Sequence, residues 1–222
     1  MPTDTAKGLV HFFDDFLVDT LDTFKWTANS DTGGTATVIE APGGELRLTT
    51  DGTDGDIQNA FGPEIFQADD GGPVVFHCRA RLVTSLSQGV FLGLSDDNDA
   101  DEVPIDLDGG TLTTTATDAV GFVYDSGEDG KWYCVGVKGG TDTAQTAVNA
   151  KFNPVAGTYQ TFRIQLNSAG TATFFINEEQ VAQLENAVTA TVSLCPALAQ
   201  LANGTAATVS IDYVEVTSAR VA

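Results

Sequence analysis

The sequence has little positive charge. Ten Lys and Arg residues stand against 31 Asp and Glu residues, which gives a formal net charge of −21, and the basic residues are scattered singly along the chain. Duplex nucleic acid and anionic membranes are bound through clusters of Lys and Arg, which this chain lacks. The composition therefore excludes nucleic acid as a direct partner and argues against a membrane partner.

Cysteine and histidine are also scarce. The three cysteines, Cys78, Cys134 and Cys195, are odd in number, far apart and set in apolar, strand-like surroundings. This context predicts buried free thiols rather than disulfides or metal ligands. The two histidines, His11 and His77, offer few bases for a serine or cysteine triad, and neither lies beside a nucleophile motif.

Long apolar runs are missing. No stretch approaches the length of a transmembrane helix, and the first twenty residues contain no apolar core of a secretion signal. We therefore expect no signal peptide and no membrane span, and a protein that is made and kept in a reducing cytoplasm.

Alternation of apolar and polar residues dominates what is present. In the segment 159–184, Phe162, Ile164 and Leu166 alternate with polar residues, a turn follows at 167–170, and the alternation then resumes. A second turn at 177–179 leads into a third short strand. This pattern predicts a β-hairpin that is extended by one more antiparallel strand.

The same pattern recurs along the chain. Val74, Phe76, Cys78, Ala80 and Leu82 share one face of a predicted strand, and His77 lies on the other face. Similar runs predict strands at 9–13, 35–40, 45–50, 89–94, 119–124, 132–138 and 208–216. The composition of segment 192–201 would also suit a short helix, but Pro196 and the β-rich surroundings favour a strand. No convincing helical period occurs. We predict an all-β, two-sheet antiparallel jelly-roll sandwich: a single domain over residues 9–222, preceded by a flexible N-terminal arm over residues 1–8.

The longest predicted loop, Asp96 to Asp108, is strongly acidic. Hard oxygen ligands in a flexible loop suit calcium, which makes this loop a candidate calcium site; the ligands would be Asp96, Asp97, Asn98, Asp99 and Asp101. The run lacks the glycine and the distal glutamate of an EF-hand, and acidic loops are commonly just solvated. We otherwise expect no cofactor.

Four segments together resemble a known superfamily. They are residues 14–26, with DDF and LDTFKW; residues 43–48, GGELRL; residues 157–181, with GTYQTFRIQLN and FFINEEQV; and residues 211–216, IDYVEV. Their order is similar to that in concanavalin A-like lectin/glucanase jelly rolls, which include laminin-G-like modules and family-16 glycoside hydrolases. The resemblance implies that the last strand returns beside the first.

The catalytic pattern of family-16 hydrolases, Glu-x-Asp-x-x-Glu on one strand, is not found. The nearest run, 102–108, contains a proline and has the wrong spacing, and Asp212 and Glu215 are expected on opposite faces of the last strand. Two aspartic-protease-like tripeptides, at 31–33 and 125–127, consist of common turn residues, and a polar segment precedes the first. We therefore predict a protein that is not an enzyme.

The leading functional prediction is a structural protein of a bacteriophage virion: a capsid decoration (cement) or head-fibre protein. It rests on an acidic jelly roll without a catalytic pattern, which resembles lectin-like modules of phage particles. Its partners would be capsid or other virion proteins, its location the virion, and its state on the particle a homo-oligomer.

The alternative is a carbohydrate-binding, lectin-like module for host attachment. Sugars stack on exposed aromatic rings, and Trp132, Tyr133 and Tyr124 are the candidates. The other interpretation of Trp132 and Tyr133 is packing in the core and at a strand edge. A divergent glycoside hydrolase is a third and weaker alternative.

Overall fold

Two eight-stranded antiparallel sheets account for most of the chain. The computed structural model describes residues 8–70, 72–83, 85–98 and 102–219. The first sheet contains Leu9–Asp14 (β1), Thr35–Ile39 (β3), Glu45–Thr49 (β4), Val74–Leu82 (β7), Gln160–Leu166 (β14), Ala172–Ile176 (β15), Glu179–Leu184 (β16) and Thr208–Ala219 (β18). The second contains Thr27–Ser30 (β2), Ile57–Phe61 (β5), Phe66–Gln67 (β6), Gln88–Ser95 (β8), Ala119–Asp125 (β11), Trp132–Lys138 (β12), Thr141–Ala147 (β13) and Ser193–Ala202 (β17). A separate hairpin pairs Ile105–Asp108 (β9) with Thr111–Thr114 (β10), and Ala150–Phe152 forms a short 3-10 helix.

The strand order is that of a jelly-roll sandwich. The first sheet runs β16-β15-β14-β7-β18-β4-β3, with β1 paired to β18. The second runs β13-β12-β11-β8-β17-β5-β2, with β6 paired to β17. Strands that are distant in sequence are therefore neighbours, and the predicted fold class is confirmed.

The main core lies between the two sheets. The first sheet contributes alternate residues of each strand, and the predicted inward residues of β7, from Val74 to Leu82, are all buried. His77 lies on the outward face of β7, as predicted, where its Nε2 is 3.1 Å from the hydroxyl of Tyr213. Alternation thus assigns the two faces of β7 correctly.

The termini and the central hairpin also match prediction. β1 pairs antiparallel with β18, and Leu9 lies opposite Ala219. β14, β15 and β16 form a continuous antiparallel ladder. The turn between β15 and β16 contains Asn177 and Glu178, with φ angles of 50° and 64°. Positive φ at both central residues is typical of tight hairpin turns.

Two expectations about local structure are wrong. Residues 105–108 form β9 rather than loop, because Ile105 and Leu107 alternate and bury their side chains. Asp212 and Glu215 do not face opposite sides of β18. A register shift between Ile211 and Tyr213 lets Asp212 reach Arg79 on the outward face, where Glu215 also contacts His11. A bulge inserts one residue and so reverses the alternation.

A second apolar cluster covers the outer face of the second sheet. Phe61, Phe91 and Val123 point away from the main core and are buried beneath Ile105 and Leu107 of the β9–β10 hairpin. This explains why β8 and β11 are buried along their whole length and have continuous apolar sequences rather than alternating ones. The hairpin also brings its acidic residues to the edge of this sheet.

Among the described residues, no helix has the length and hydropathy needed to cross a membrane.

Candidate functional site

An acidic pocket lies beside the β9–β10 hairpin, at one end of the second sheet. Its volume is about 640 Å³, which is within the usual range of ligand pockets. We call it the acidic pocket, and its lining residues are Asp54, Gly55, Ser87, Asp106, Leu107, Asp108, Gly109, Asp125, Ser126, Gly127, Glu128, Leu201, Ala202 and Asn203. Five of these residues are acidic and none is basic.

Asp125 forms the inner wall of the acidic pocket at the end of β11. Its Oδ1 atom accepts a hydrogen bond of 2.5 Å from the backbone N–H of Gly127, which closes an Asx turn. Asn203, just beyond β17, donates from Nδ2 to the same oxygen at 3.0 Å and to Ser126 Oγ at 2.8 Å. Two strands of the sheet therefore fix the orientation of this carboxylate.

Glu128 links the turn after β11 to the hairpin. Its Oε1 atom accepts a hydrogen bond of 2.7 Å from the backbone N–H of Gly110, between β9 and β10. Gln145 of β13 donates to the carbonyl oxygen of Gly110 at 3.0 Å. The hairpin turn is thus held from two sides, which keeps Asp106 and Asp108 facing the cavity.

Asp106 has the most perturbed acidity in the pocket. Burial is the main cause, and the charges of Asp125, Asp108 and Glu128 add to it, so that together they raise the pKa of Asp106 from 3.8 to about 6. Burial and nearby negative charge both disfavour the ionised form. Near neutral pH, Asp106 therefore exchanges between a hydrogen-bond donor and an acceptor.

The pKa of Asp125 is raised as well. Burial is again the main cause, and the charges of Glu128 and Asp108 contribute, whereas the hydrogen bonds from Gly127 and Asn203 act in the opposite direction. Burial and neighbouring charges therefore favour the protonated form of both Asp106 and Asp125. Strongly perturbed carboxyl groups in a cavity are a common feature of functional sites.

A smaller cavity adjoins the acidic pocket beneath the hairpin. Asp106 and Leu201 line both cavities, and the smaller one, about 210 Å³, is otherwise lined by Ile57, Glu102, Val103, Thr113 and Thr115. A ligand that filled both would meet a cluster of carboxylates in the acidic pocket, and apolar and hydroxyl groups together with Glu102 in the smaller cavity. This combination suits a ring with one apolar face and several hydroxyl groups.

The aromatic residues predicted to bind sugar lie elsewhere. Trp132 and Tyr124 are buried between the sheets, where Trp132 Nε1 donates to Gln160 Oε1 at 3.1 Å and the Tyr124 hydroxyl donates to the Leu86 carbonyl at 3.0 Å. Their rings are core residues, which is the other interpretation offered for Trp132. Tyr133 is half-buried on the outer side of β12. The structure does not bring the three side chains together on an exposed surface.

The predicted calcium loop is described only in part. Asp96 Oδ1 accepts hydrogen bonds from the backbone N–H groups of Thr117 and Asp118, at 3.0 and 2.9 Å, and Asn98 donates to Glu64 at 3.2 Å. Asp99 and Asp101 lie outside the described residues. Within residues 8–70, 72–83, 85–98 and 102–219, no group of three acidic, His or Cys side chains has the geometry of a metal site.

The acidic pocket was not predicted as a site, although its parts were visible in the sequence. Asp106 and Asp108 lie at the end of the predicted acidic loop, and residues 125–127 are predicted as turn residues that match a protease-like tripeptide. The turn after β11, with Asp125 and Glu128, comes near Asn203 at the end of β17 because β11 and β17 are the two neighbours of β8 in the sheet. Alternation predicts the faces of strands but not their order in the sheet, so it does not predict which turns lie side by side.

No protein-family model and no curated protein matches the sequence. Solved structures do match the fold. The Bacillus licheniformis β-glucanase superposes with a TM-score of 0.65 at 12% identity, over 93% of this chain and 97% of that chain. A LamA variant from Zobellia galactanivorans, in complex with laminaritriose and laminaritetraose, gives 0.66 at 13% identity, over 95% and 98%. The carbohydrate recognition domain of Emp47p gives 0.64 at 11% identity, over 99% and 100%.

These similarities establish a concanavalin A-like fold. They also correct the prediction that the protein is not an enzyme, because β-glucanases are among the structures that share this architecture over nearly their whole length. A missing Glu-x-Asp-x-x-Glu strand excludes only one arrangement of carboxylates. The acidic pocket offers another arrangement, drawn from three separate strands and turns.

Proposed function

We propose that the protein binds a carbohydrate in the acidic pocket. The observation that carries the proposal is the convergence of Asp106, Asp108, Asp125 and Asn203 on one cavity that adjoins a smaller, more apolar one. Fixed carboxylate oxygens accept hydrogen bonds from neighbouring sugar hydroxyl groups, and a side-chain amide can donate to them. Structures of the same fold include a carbohydrate recognition domain and a LamA variant in complex with laminaritriose and laminaritetraose, which supports this class of ligand.

The charge of the pocket favours neutral glycans. Five acidic residues and no basic residue line it, so sulfated sugars or uronic acids would meet uncompensated negative charge. A neutral sugar, by contrast, supplies hydroxyl donors to acceptors that are already in place. We therefore expect neutral oligosaccharides to bind and acidic ones to be rejected.

A glycan array tests the proposal with matched variants. The wild-type protein should bind neutral glycans, and Asp106→Asn combined with Glu128→Gln should lose at least about tenfold in affinity, because both side chains face the cavity. The control pair, Asp19→Asn with Asp70→Asn, removes the same charge from exposed positions outside the pocket and should bind normally. An array without hits, or equal losses in both pairs, would reject the proposal.

Glycoside hydrolysis in the same pocket is the second candidate function. The observation that favours it is Asp106, whose pKa of about 6 allows a protonated carboxyl group to stand beside the carboxyl groups of Asp125 and Glu128. Hydrolysis of a glycosidic bond uses one carboxylic acid as proton donor and a second carboxylate as base or nucleophile. Asp106 would be the donor in this pocket.

Reducing-sugar release from a panel of neutral polysaccharides separates binding from hydrolysis. If Asp106 donates the proton, wild-type protein releases sugar and Asp106→Asn loses about 100-fold or more of that activity, whereas the exposed Asp19→Asn control retains it. Binding on the array without any release of sugar would leave the lectin-like function and discard hydrolysis.

Calcium at the Asp96 loop remains a proposal. The side chains of Asp96 and Asn98 lie near each other in sequence and carry oxygen ligands of the type calcium prefers. The array should therefore be run with millimolar calcium and with a chelator. Loss of binding only in the chelator would assign calcium a role; equal binding would show that the pocket works without it.

Attachment to a bacteriophage particle also remains a proposal. It is supported by the net charge of −21, which would keep crowded particles apart. Co-sedimentation with expanded capsid shells that lack the protein tests it directly. Failure to bind any such shell would reject the capsid assignment without affecting the proposal for the acidic pocket.

A further inference from the structure

Exposed apolar side chains are concentrated in one short segment. Among the described residues, eight large apolar side chains are exposed, and five of them lie between Leu9 and Phe24. Phe24 is fully exposed, and Leu17 and Val18 are exposed by 65% and 51%. We call Phe13, Leu17, Val18 and Phe24 the apolar patch. Single exposed apolar residues are ordinary, but four within the twelve residues 13–24, two of them lining one recess, indicate an interaction surface.

The base of the apolar patch is rigid. The buried carboxylate of Asp14 accepts hydrogen bonds from the backbone N–H of Phe16, at 3.0 Å, and from Trp26 Nε1, at 2.9 Å. Gly44, with a φ of 73°, packs so closely that an added Cβ atom would lie 2.2 Å from the Asp15 carbonyl oxygen. The loop between β1 and β2 is therefore anchored at both ends, and its apolar side chains are held outward rather than collapsed.

The patch is also shaped to receive a partner. Leu17 and Val18 line a recess of about 330 Å³ together with Ile39, Glu40 and Ala41. Preorganised apolar side chains next to a recess bind with little loss of conformational entropy. Anchors of this kind dominate the affinity of protein–protein interfaces.

Unpaired carboxylates surround the patch. Asp15, Asp19 and Glu40 form no ion pair within the described part of the chain. The nearby Lys25 is already engaged, since its Nζ lies 3.2 Å from the Phe13 carbonyl oxygen and 3.6 Å from Asp14 Oδ2. The rim of the patch is therefore negative, and its charge is not balanced internally.

We propose that the apolar patch and its recess dock a protein partner whose surface presents protruding apolar side chains flanked by Lys and Arg. Charge complementarity selects this occupant: a second copy would bring another strongly acidic surface, and an anionic membrane would be repelled by the same rim. The patch lies on the first sheet's N-terminal strand and the following loop, so docking leaves the acidic pocket of the second sheet to its own ligand.

The test uses a defined probe with the chemistry of the partner. A labelled amphipathic helix of Leu and Lys is titrated into the full-length protein, and the same peptide with Glu in place of Lys is the negative probe. The wild-type protein should bind only the Lys peptide, and more weakly at high salt. Phe24→Ser combined with Leu17→Ser should weaken binding about tenfold or more, whereas Val155→Ser, an exposed apolar residue outside the patch, should bind as the wild type does.

A second variant separates charge from apolar contact. Asp15→Asn, Asp19→Asn and Glu40→Gln together keep the apolar side chains and should weaken binding and reduce its salt dependence. Equal binding by the Phe24 and Leu17 double variant would overturn the proposal. Two further results would overturn the proposal. If the wild-type protein sediments with phosphatidylcholine vesicles and the Phe24 and Leu17 double variant does not, the occupant is lipid. If the wild-type protein forms a dimer in analytical ultracentrifugation and the double variant does not, the occupant is a second copy.

Discussion

Asn203 donates a hydrogen bond of 3.0 Å from its Nδ2 atom to Oδ1 of Asp125, and so joins the end of β17 to the end of β11. β8 lies between these two strands in the sheet, so this contact bridges a whole strand at the floor of the acidic pocket. The amide also contacts Ser126 Oγ. The geometry of the pocket therefore depends on one side chain that sequence alternation does not single out.

Replacing Asn203 with alanine should lower the free energy of unfolding by about 1–2 kcal/mol near neutral pH, because Asp125 then loses a buried donor. The raised pKa of Asp125 sets the pH dependence of this stability cost. A protonated Asp125 needs the donor less, so the cost should shrink in acid. Urea unfolding at neutral and acidic pH measures both values, and a cost that grows in acid would contradict this role.

Asp106→Asn should stabilise the protein near neutral pH. The folded-state pKa of Asp106 is raised from 3.8 to about 6. The protonated side chain therefore contributes its full stability below pH 3.8, and this contribution is lost as the pH rises through about 6. The neutral amide of the variant avoids the free-energy cost of burying an ionised carboxylate. We expect a gain of about 1–2 kcal/mol at neutral pH, falling to none in strong acid, in urea unfolding at both pH values. A loss of stability at neutral pH would contradict the assigned burial.

Glu45 should behave in the opposite way. Burial alone would raise its pKa, but hydrogen bonds from Tyr159, Ser210 and Arg47 and the charge of Arg81 outweigh it and lower the pKa from 4.5 to about 2. Its contribution to stability is present above the unfolded value and is lost as the pH falls toward the folded one.

The variant Glu45→Gln should therefore cost about 2–3 kcal/mol near neutral pH and less in acid, since it leaves two arginines without their buried partner. Thermal or urea unfolding across this range checks the trend. A cost that is independent of pH would show that packing, rather than charge, is what the variant removes.

The three thiols should be inert in the folded protein. Cys78, Cys134 and Cys195 are free and buried, and burial raises the pKa of each thiol far above its ordinary value. Because the thiolate is the reactive form, a thiol reagent should titrate none of them in native buffer and all three in denaturant. Rapid modification of any one in native buffer would contradict its burial.

The sequence predicts the sheets better than it predicts the site. Alternation over 74–82 and 160–184 assigns strands, faces and hairpins correctly, because these residues each bury one side against a single core. The weakly patterned segments 27–30, 57–61 and 141–147 were missed. They are short or polar, and pairing with neighbouring strands, rather than their own composition, makes them β.

The acidic pocket depends on features that alternation does not carry. Asp106 faces it because Ile105 and Leu107 pack on the outer face of the second sheet, which requires that face to be apolar as well. Asp125 and Asn203 meet because of strand order. Alternation likewise does not show which aromatic rings are exposed, and Trp132 and Tyr124, two of the three rings predicted to bind sugar, lie in the main core.

The central claim, that a neutral glycan occupies the acidic pocket, is tested most directly by mapping amide chemical shifts in nuclear magnetic resonance. Neutral oligosaccharides, laminaritetraose among them, are titrated into the wild-type protein and, separately, into the Asp106→Asn variant. If a neutral glycan occupies the acidic pocket, saturable shifts are expected at Gly109, Ser126, Gly127 and Asn203, and they should be lost or weakened in the variant. Saturable shifts confined to other surfaces, or no shifts with any neutral oligosaccharide, would contradict it.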